Sequence, residues 1–199
     1  MAAFAAVVLA GGTARRLGGL AKPALPIGGR PMLLRVLDAV PGASPRVVVG
    51  PSSLAGLLPG GVLLTREEPP DGGPVAGLAA GVRLVPDEVA QVAVLSSDLP
   101  FLSPTVLGGL CAAVTGGADV AVLVDDKGRR QWLCAVWRRA SLAGRLAALG
   151  EPGGLPMWQL VGGVAVRDVA GRSDPPSWFD CDTDDDLRRA EEWADADPG

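Results

Sequence analysis

The stretch Leu9-Ala10-Gly11-Gly12-Thr13-Ala14-Arg15-Arg16-Leu17-Gly18-Gly19-Leu20-Ala21-Lys22 joins two glycine pairs to two arginines and a terminal lysine. Glycines let backbone N–H groups come close to phosphate oxygens and form an anion-binding concavity, while Arg15, Arg16 and Lys22 offer cations suited to a triphosphate. The loop has neither the GK[ST] ending of a Walker A loop nor the GxGxxG of a dinucleotide fingerprint. An ordinary strand-to-helix turn with solvated cations is the plain alternative. Lysine usage argues against it: among 18 lysines and arginines, only Lys22 and Lys127 are lysines. Arginine is no substitute where one compact ammonium must reach a single phosphate oxygen.

The carboxylates come next. Asp98 ends the apolar run Val92-Ala93-Val94-Leu95-Ser96-Ser97 and precedes Leu99-Pro100, so it is expected at a strand's carboxyl end, where an oxygen ligand for magnesium belongs. It lies too far upstream to cap the helix that Ser103 and Pro104 open. Asp180 and Asp182 alternate along an extended piece and point the same way. They complete the metal site from across a cleft, or one of them caps the last helix, for which Thr183 is the better candidate. Asp184, Asp185 and Asp186 read as solvated acids in that helix's first turn. Asp125, Asp126, Lys127 and Gly128 read as a hairpin turn. The chain has no histidine, which removes every mechanism that needs a histidine base and leaves zinc without its usual ligands.

Such residues need elements to position them. Short apolar runs without period-2 alternation recur at Phe4–Leu9, Arg46–Val49, Val62–Thr65, Val92–Ser96 and Val120–Val124, and Gln131–Trp137 and Val164–Asp168 look like further strands. Helical periodicity fills Met32–Val40, Val75–Val85, Thr105–Val114 and Leu142–Leu149, and a last helix follows Thr183. Buried strands separated by helices predict an α/β fold, a single-domain, doubly wound, mostly parallel sheet with helices on both faces. The domain is expected over residues 1–193, with 194–199 a frayed tail. In such sheets ligands sit at the carboxyl ends of strands, which singles out the residues after Leu9, Ser96 and Trp137.

Composition narrows the classes. At 199 residues and 48% hydrophobic content the chain buries one core. A formal charge of -4 argues against a nucleic-acid binder, which would need a basic face. Val47–Thr65 and Leu99–Ala118 carry no charge, yet prolines, paired glycines and hydroxyl residues break both, so no membrane span is expected. The start lacks the basic residues of a signal peptide. Cys111, Cys134 and Cys181, three in number and without CxxC spacing, read as buried free thiols of a cytoplasmic protein.

Leu-Ala-Gly-Gly followed by the Arg-Arg and Gly-Gly run and Lys22 resembles the loop of the MobA-like molybdenum cofactor guanylyltransferases, within the wider nucleotidyltransferase superfamily. Gly73-Pro74-Val75-Ala76-Gly77, Ser97-Asp98-Leu99-Pro100 and Asp180-Cys181-Asp182-Thr183 resemble, in the same order, that family's GPLAG, CDxP and NxNTPEEL segments. Four landmarks in order over Leu9 to Leu187 span most of the chain. The resemblance implies a Rossmann-like nucleotidyltransferase fold and transfer of GMP from GTP with Mg2+ to the phosphate of molybdenum-molybdopterin, releasing pyrophosphate. It implies backbone contacts to the nucleotide at Leu9, Ala10 and Gly11, a phosphate cradle of Gly12, Arg16, Gly19 and Lys22, and nucleotide contacts at Gly73, Gly77, Asp98 and Glu68, with Glu67 as fallback. Lys22, Arg16 and Asp98 would be catalytic, Asp98 and Asp182 would hold the metal, and Gln131, Trp132 and Asp180 would meet the acceptor, with Arg138 and Arg139 flanking the strand that carries the first two. For Trp137, and for Trp132 as well, core packing is the competing role, and it is the stronger one for Trp137. Two positions depart from the family pattern: Ala21 stands where an aspartate often precedes the lysine, and Asp180 and Asp182 replace the NxN asparagines.

The partners expected are small molecules, with transient contact to proteins that deliver or accept the cofactor. A cytidylyltransferase for the same cofactor, another small-phosphate nucleotidyltransferase and a nucleotide-binding regulator without turnover remain as alternatives.

Overall fold

The computed structural model describes residues 4–11, 21–171 and 173–196. Strand β1 (Phe4–Leu9) has all six side chains buried, as a strand covered on both faces requires. A 3-10 turn at Lys22–Ala24 leads to a two-residue hairpin, β2 (Pro26–Ile27) with β3 (Arg30–Pro31), and then α1 (Met32–Asp38). Strand β4 (Arg46–Val49), a 3-10 segment at Ser52–Leu57, β5 (Val62–Thr65), α2 (Gly73–Val82), β6 (Gln91–Ser96) and α3 (Pro104–Thr115) follow. The second half runs β7 (Val120–Val124), β8 (Arg130–Arg138), α4 (Arg139–Leu149), α5 (Met157–Leu160), β9 (Val166–Ala170) and α6 (Asp184–Ala196). Ser103 caps α3 by accepting the Val106 N–H at 3.4 Å. Helix α6 takes in Ala194, Asp195 and Ala196, which were expected in the frayed tail.

The seven-stranded sheet has the order β5-β4-β1-β6-β8-β7-β9. Strands β5, β4, β1 and β6 are parallel, β8 runs antiparallel to both β6 and β7, and β7 pairs β9 in parallel. The sheet is therefore mostly parallel with one reversed strand. Asp125 enforces the reversal: its Oδ1 accepts the N–H of Lys127 at 2.9 Å and of Arg129 at 2.8 Å, and Gly128 takes φ 75°. A loop this short can join only antiparallel neighbours. The reversal corrects one expectation. The carboxyl end of β8, with Trp137 and Arg138, lies beside the amino end of β6, at the edge of the sheet opposite Leu9 and Ser96. There Arg138 donates to the Ala118 carbonyl, and Arg139 donates to the Val85 carbonyl and pairs with Asp87. Neither arginine can serve an acceptor at the other edge.

Alternate residues of the central strands feed two cores. Ala6, Val8, Ala93, Leu95 and Val136 pack with Leu33 and Leu37 of α1 and Leu107, Leu110 and Val114 of α3. Val7, Val47, Val92, Val94 and Trp137 pack with Val75 and Leu78 of α2, Leu142 of α4 and Leu160 of α5. Helices thus cover both faces, and Trp137 is fully buried as core. A third, smaller cluster of Ile27, Met32, Phe179, Cys181 and Ala190, with Phe101 and Trp193 packed on it, seats α6 across the ligand edge. The three thiols are buried and free, and burial pushes those of Cys134 and Cys181 up to about 12. No helix among the described residues is long and apolar enough to cross a membrane.

Helix α2 lies close against β1 and β4 because Gly81 has no side chain. A Cβ there would stand 2.9 Å from Val49 Cγ2 and closer still to Val7 Cγ1, whereas at Gly108 of α3 nothing lies within 4 Å. Gly81→Ala is expected to lower unfolding free energy by about 1–3 kcal/mol, while Gly108→Ala raises it by about 0.5–1 kcal/mol through helix propensity. Denaturant unfolding of the two variants checks the pair. Equal, small effects would show that α2 does not depend on that approach.

Candidate functional site

The register of β1 and β6 ends with Leu9 opposite Ser96, and the Ser97 N–H donates to the Leu9 carbonyl at 3.0 Å. The next residue, Asp98, therefore leaves the sheet at its carboxyl edge with its side chain 18% exposed. Lys22 opens the 3-10 turn, whose Pro23 is buried, and its ammonium donates to Asp98 Oδ2 at 2.7 Å and to Asp182 Oδ1 at 2.6 Å. Three residues far apart in the chain thus meet at one point. Burial opposes the charge on Lys22, but its bonds to Asp182 and Asp98 outweigh that and raise its pKa. The Lys22 hydrogen bond lowers that of Asp182. Asp180 is raised, first by burial and then by the charges of Asp182 and Asp98.

The start of α6 fixes the Asp182 backbone. Thr183 Oγ1 accepts the Asp186 N–H at 3.1 Å, while Asp186 Oδ2 accepts from the Thr183 N–H and hydroxyl and from the Asp182 N–H. This reciprocal pair is a capping box. Thr183 is the cap as expected, but Asp186 is its partner and no mere solvated acid; Thr-x-x-Asp was the signal in the sequence. The Cys181 N–H donates to the Asp98 carbonyl at 3.2 Å, which ties the two carboxylate segments together. Asp182 is thereby free to face Lys22.

Beside this point lies a cavity of about 270 Å³ walled by Leu9, Gly11, Val49, Glu67, Gly73 and Gly77, among others. A second, of about 240 Å³, is walled by Ala10, Gly11, Ala21, Pro23, Glu67 and Asp71, among others. The two share Gly11, Glu67 and Asp71 as walls. Glu67 is 8% exposed, and its Oε1 accepts the Asp71 N–H at 3.1 Å. Glu68 is exposed and lines neither cavity, so of the two adjacent glutamates it is Glu67, the fallback, that faces the cavities. Alternation past β5 is the cause, with Arg66 and Glu68 turned out and Glu67 turned in. Asp71, missed by the sequence reading, adopts φ 62°. A Cβ on Gly11 would meet Gly50 Cα and the Val49 carbonyl only at 3.9 Å, so the space above it is open.

On the other side, Gln131 and Asp180 line a hollow of about 580 Å³ together with Arg129, Trp178, Arg189 and Trp193, among others. Arg189 stacks over the Trp193 ring, 4.5 Å from its centroid. Trp132 is not part of this wall and packs instead toward the core under α4 and α5. The register jumps from Val122–Ala135 to Leu123–Gln131, which leaves Trp132 without a partner in β7, and alternation along β8 puts it on the face opposite Gln131. Gly12, Arg15, Arg16 and Gly19 lie outside the described residues.

Among the described residues no three His, Cys, Asp or Glu side chains form a ready metal cage. Asp98 and Asp182 nevertheless converge on a single cation position. Two carboxylates with further oxygens from phosphate and water are the donor set a magnesium ion uses.

The family model described as the MobA-like NTP transferase domain matches residues 6–165. The chain is 32% identical over 196 residues to the molybdenum cofactor guanylyltransferase of Cereibacter sphaeroides, covering 93% of this chain and 94% of that one. It is 34% identical over 128 residues to a probable molybdenum cofactor guanylyltransferase of Haloferax mediterranei, a match over 61% of this chain and 60% of that protein. The molybdopterin-guanine dinucleotide biosynthesis protein A of Archaeoglobus fulgidus shares the fold, with a TM-score of 0.74 at 22% identity over 96% of this chain and 99% of that one. The convergence of Lys22 and Asp98 at the edge of a mostly parallel sheet thus falls inside the matched segment, and the chain belongs to the MobA-like NTP transferase family.

Proposed function

We propose that this protein transfers GMP from GTP to the phosphate of molybdenum-molybdopterin and releases pyrophosphate. One observation carries the reading: the Lys22–Asp98–Asp182 point has the Gly11 cavities on one side, flanked by Ala21 and Pro23, and the Asp180 hollow on the other. A donor in the first and an acceptor in the second would meet at a cluster of charge that can stabilise a reacting phosphate. The names of the curated relatives supply the substrates.

An acceptor phosphate oxygen attacks the α-phosphorus, the bond to the bridging α–β oxygen breaks, and pyrophosphate leaves with that electron pair. The nucleophile is already ionised at neutral pH, so no general base is required, in keeping with a chain that has no histidine. A magnesium ion on Asp98 and Asp182 would supply neutralisation of phosphate charge. Lys22 donates to a phosphate oxygen, the backbone at Gly11 lets the nucleotide approach, and Glu67 offers an acceptor to it. Gln131 and Asp180 face the acceptor, with Arg129 and Arg189 as its nearby cations. Catalysis is then positioning plus charge stabilisation. On this reading the protein works in the cytoplasm, with transient contacts to proteins that deliver or take up the cofactor; its free thiols suit that compartment.

Incubation with Mg2+, molybdenum-molybdopterin and each NTP, with the product identified by mass, tests the reaction. Asp98→Asn and Lys22→Ala are each expected to lose about 100-fold or more in turnover, about 2.7 kcal/mol, with the circular dichroism of the folded chain retained. Near-normal turnover in either would sink the site. Glu67→Gln is expected to raise KM for GTP while Glu68→Gln leaves it unchanged; the reverse would restore Glu68.

Donor choice should rest partly on Gly11. A methyl there would intrude where the backbone passes under the nucleotide, and the Cβ itself meets no atom closer than 3.9 Å, so the variant can fold normally. Gly11→Ala is expected to shift the GTP to CTP ratio toward CTP by about 10-fold, the worth of one methyl in such a pocket. Competition between GTP and CTP at equal concentration measures it, and an unchanged ratio would remove Gly11 from donor selection.

A further inference from the structure

We infer that Lys22 is a resident cation at the metal position, so that the divalent ion enters only together with the nucleotide, whose phosphates draw Lys22 away. The inference rests on the assignment of Asp98 and Asp182 to the metal. Its basis is that one ammonium bridges both carboxylates at 2.7 and 2.6 Å. Asp98 and Asp182 would hold a magnesium ion through their carboxylates, at the place the Lys22 ammonium fills. Two cations cannot share that position.

Charge decides when the exchange occurs. Without nucleotide, an entering divalent ion must expel Lys22 from two short ion pairs and leave it, still positive, next to the ion that replaced it. A triphosphate changes the balance, because its oxygens complete the metal's shell and also accept the displaced ammonium. Asp180 lies near Asp182 and Asp98, yet among the described residues no three carboxylates form a metal cage, so phosphate oxygens would add the ligands that strengthen metal binding. Metal and nucleotide therefore bind with positive coupling, and each raises the affinity of the other by the same factor.

The fold provides for the movement. Pro23, next in the chain, is buried and anchors the turn, so the long lysine stem is the part that swings. The Lys22 side chain is 13% exposed and that of Asp182 is 66% exposed, which leaves the exchange open to solvent on the Asp182 side. A flexible stem with three rotatable donors can serve two carboxylates and then a phosphate, whereas a planar guanidinium cannot turn between them so freely.

Two measurements that need no turnover test this. In calorimetric titration with Mn2+ alone, Lys22→Met is expected to bind at least tenfold more tightly than wild type, and its melting temperature to rise with Mn2+. In wild type labelled with 15N-lysine, two side-chain ammonium signals arise, from Lys22 and Lys127. Mg2+ alone should leave the Lys22 signal in place, and Mg2+ with α,β-methylene-GTP should move it. Equal Mn2+ affinity of the two proteins, or a Lys22 signal moved as far by Mg2+ alone, overturns the inference and leaves the transferase assignment standing. The wild-type signal decides the matter if Lys22→Met does not fold. Failure of the Mg2+ and analogue pair to bind wild type at all overturns the transferase assignment, and this inference with it.

Discussion

Two carboxylates held toward one point repel each other unless a cation stands between them, and Asp98 and Asp182 are held so by Lys22. Much of the architecture at the ligand edge serves to bring those three side chains together. Asp98 arrives there because β1 and β6 pair in parallel and end in register, and Lys22 because its turn is seated by Pro23. Asp182 arrives from the far end of the chain, and its position depends on the Thr183–Asp186 capping box and on the aromatic cluster of Phe101, Phe179 and Trp193 under α6. A half-buried ion pair of this kind contributes little net stability once desolvation is counted. Its value is positional, and what it positions is a site of mobile charge.

The reversed strand β8 makes the second half of that site. Had β8 run parallel to β6, its first residues would stand at the far edge and its last at the ligand edge. Because Asp125 closes a short hairpin, Gln131 instead comes to the edge that carries Asp98 and Asp180, and Trp137 goes into the core. The register jump opposite Leu123 then sets which of the neighbours Gln131 and Trp132 faces the hollow and which faces the core. One turn and one irregularity therefore decide which side chains an acceptor can meet.

What was legible in the sequence follows from the range of the interactions. Strands buried on both faces announce themselves as uninterrupted apolar runs, and β1, β4, β5 and β7 lie where those runs lie. Lys22, Asp98 and Asp182 were legible as chemistry, because a lone lysine after glycines and an aspartate after an apolar run are local patterns. Their mutual contact was not, since it depends on how segments 76 and 160 residues apart in the chain meet. The hairpin at Asp125 is legible in the sequence, whereas the place of Arg138 and Arg139 at the far edge depends on how β8 pairs with β6 and β7. Glu67 against Glu68 hinges on a one-residue phase beyond β5, and Trp132 on a bulge set by the partner strand, and neither leaves a mark in composition or spacing.

The glycines of α2 show how packing and chemistry are joined. Gly81 lets the helix settle on Val7 and Val49, and one turn nearer its start a Cβ on Gly77 would touch Leu9 and Val49 at 3.5 and 3.6 Å. Gly77 thus serves two ends: it allows the close approach, and it leaves unfilled the space above Leu9 that forms the cavity beside Glu67. The same approach brings the amino end of α2, at Gly73 and Pro74, to the cavity wall, where the helix dipole favours negative charge. A larger residue at 81 would lift the helix, and with it the wall that completes the cavity. The spacing of small residues in Gly73-Pro74-Val75-Ala76-Gly77-Leu78-Ala79-Ala80-Gly81 is therefore a packing constraint first, and the cavity follows from it.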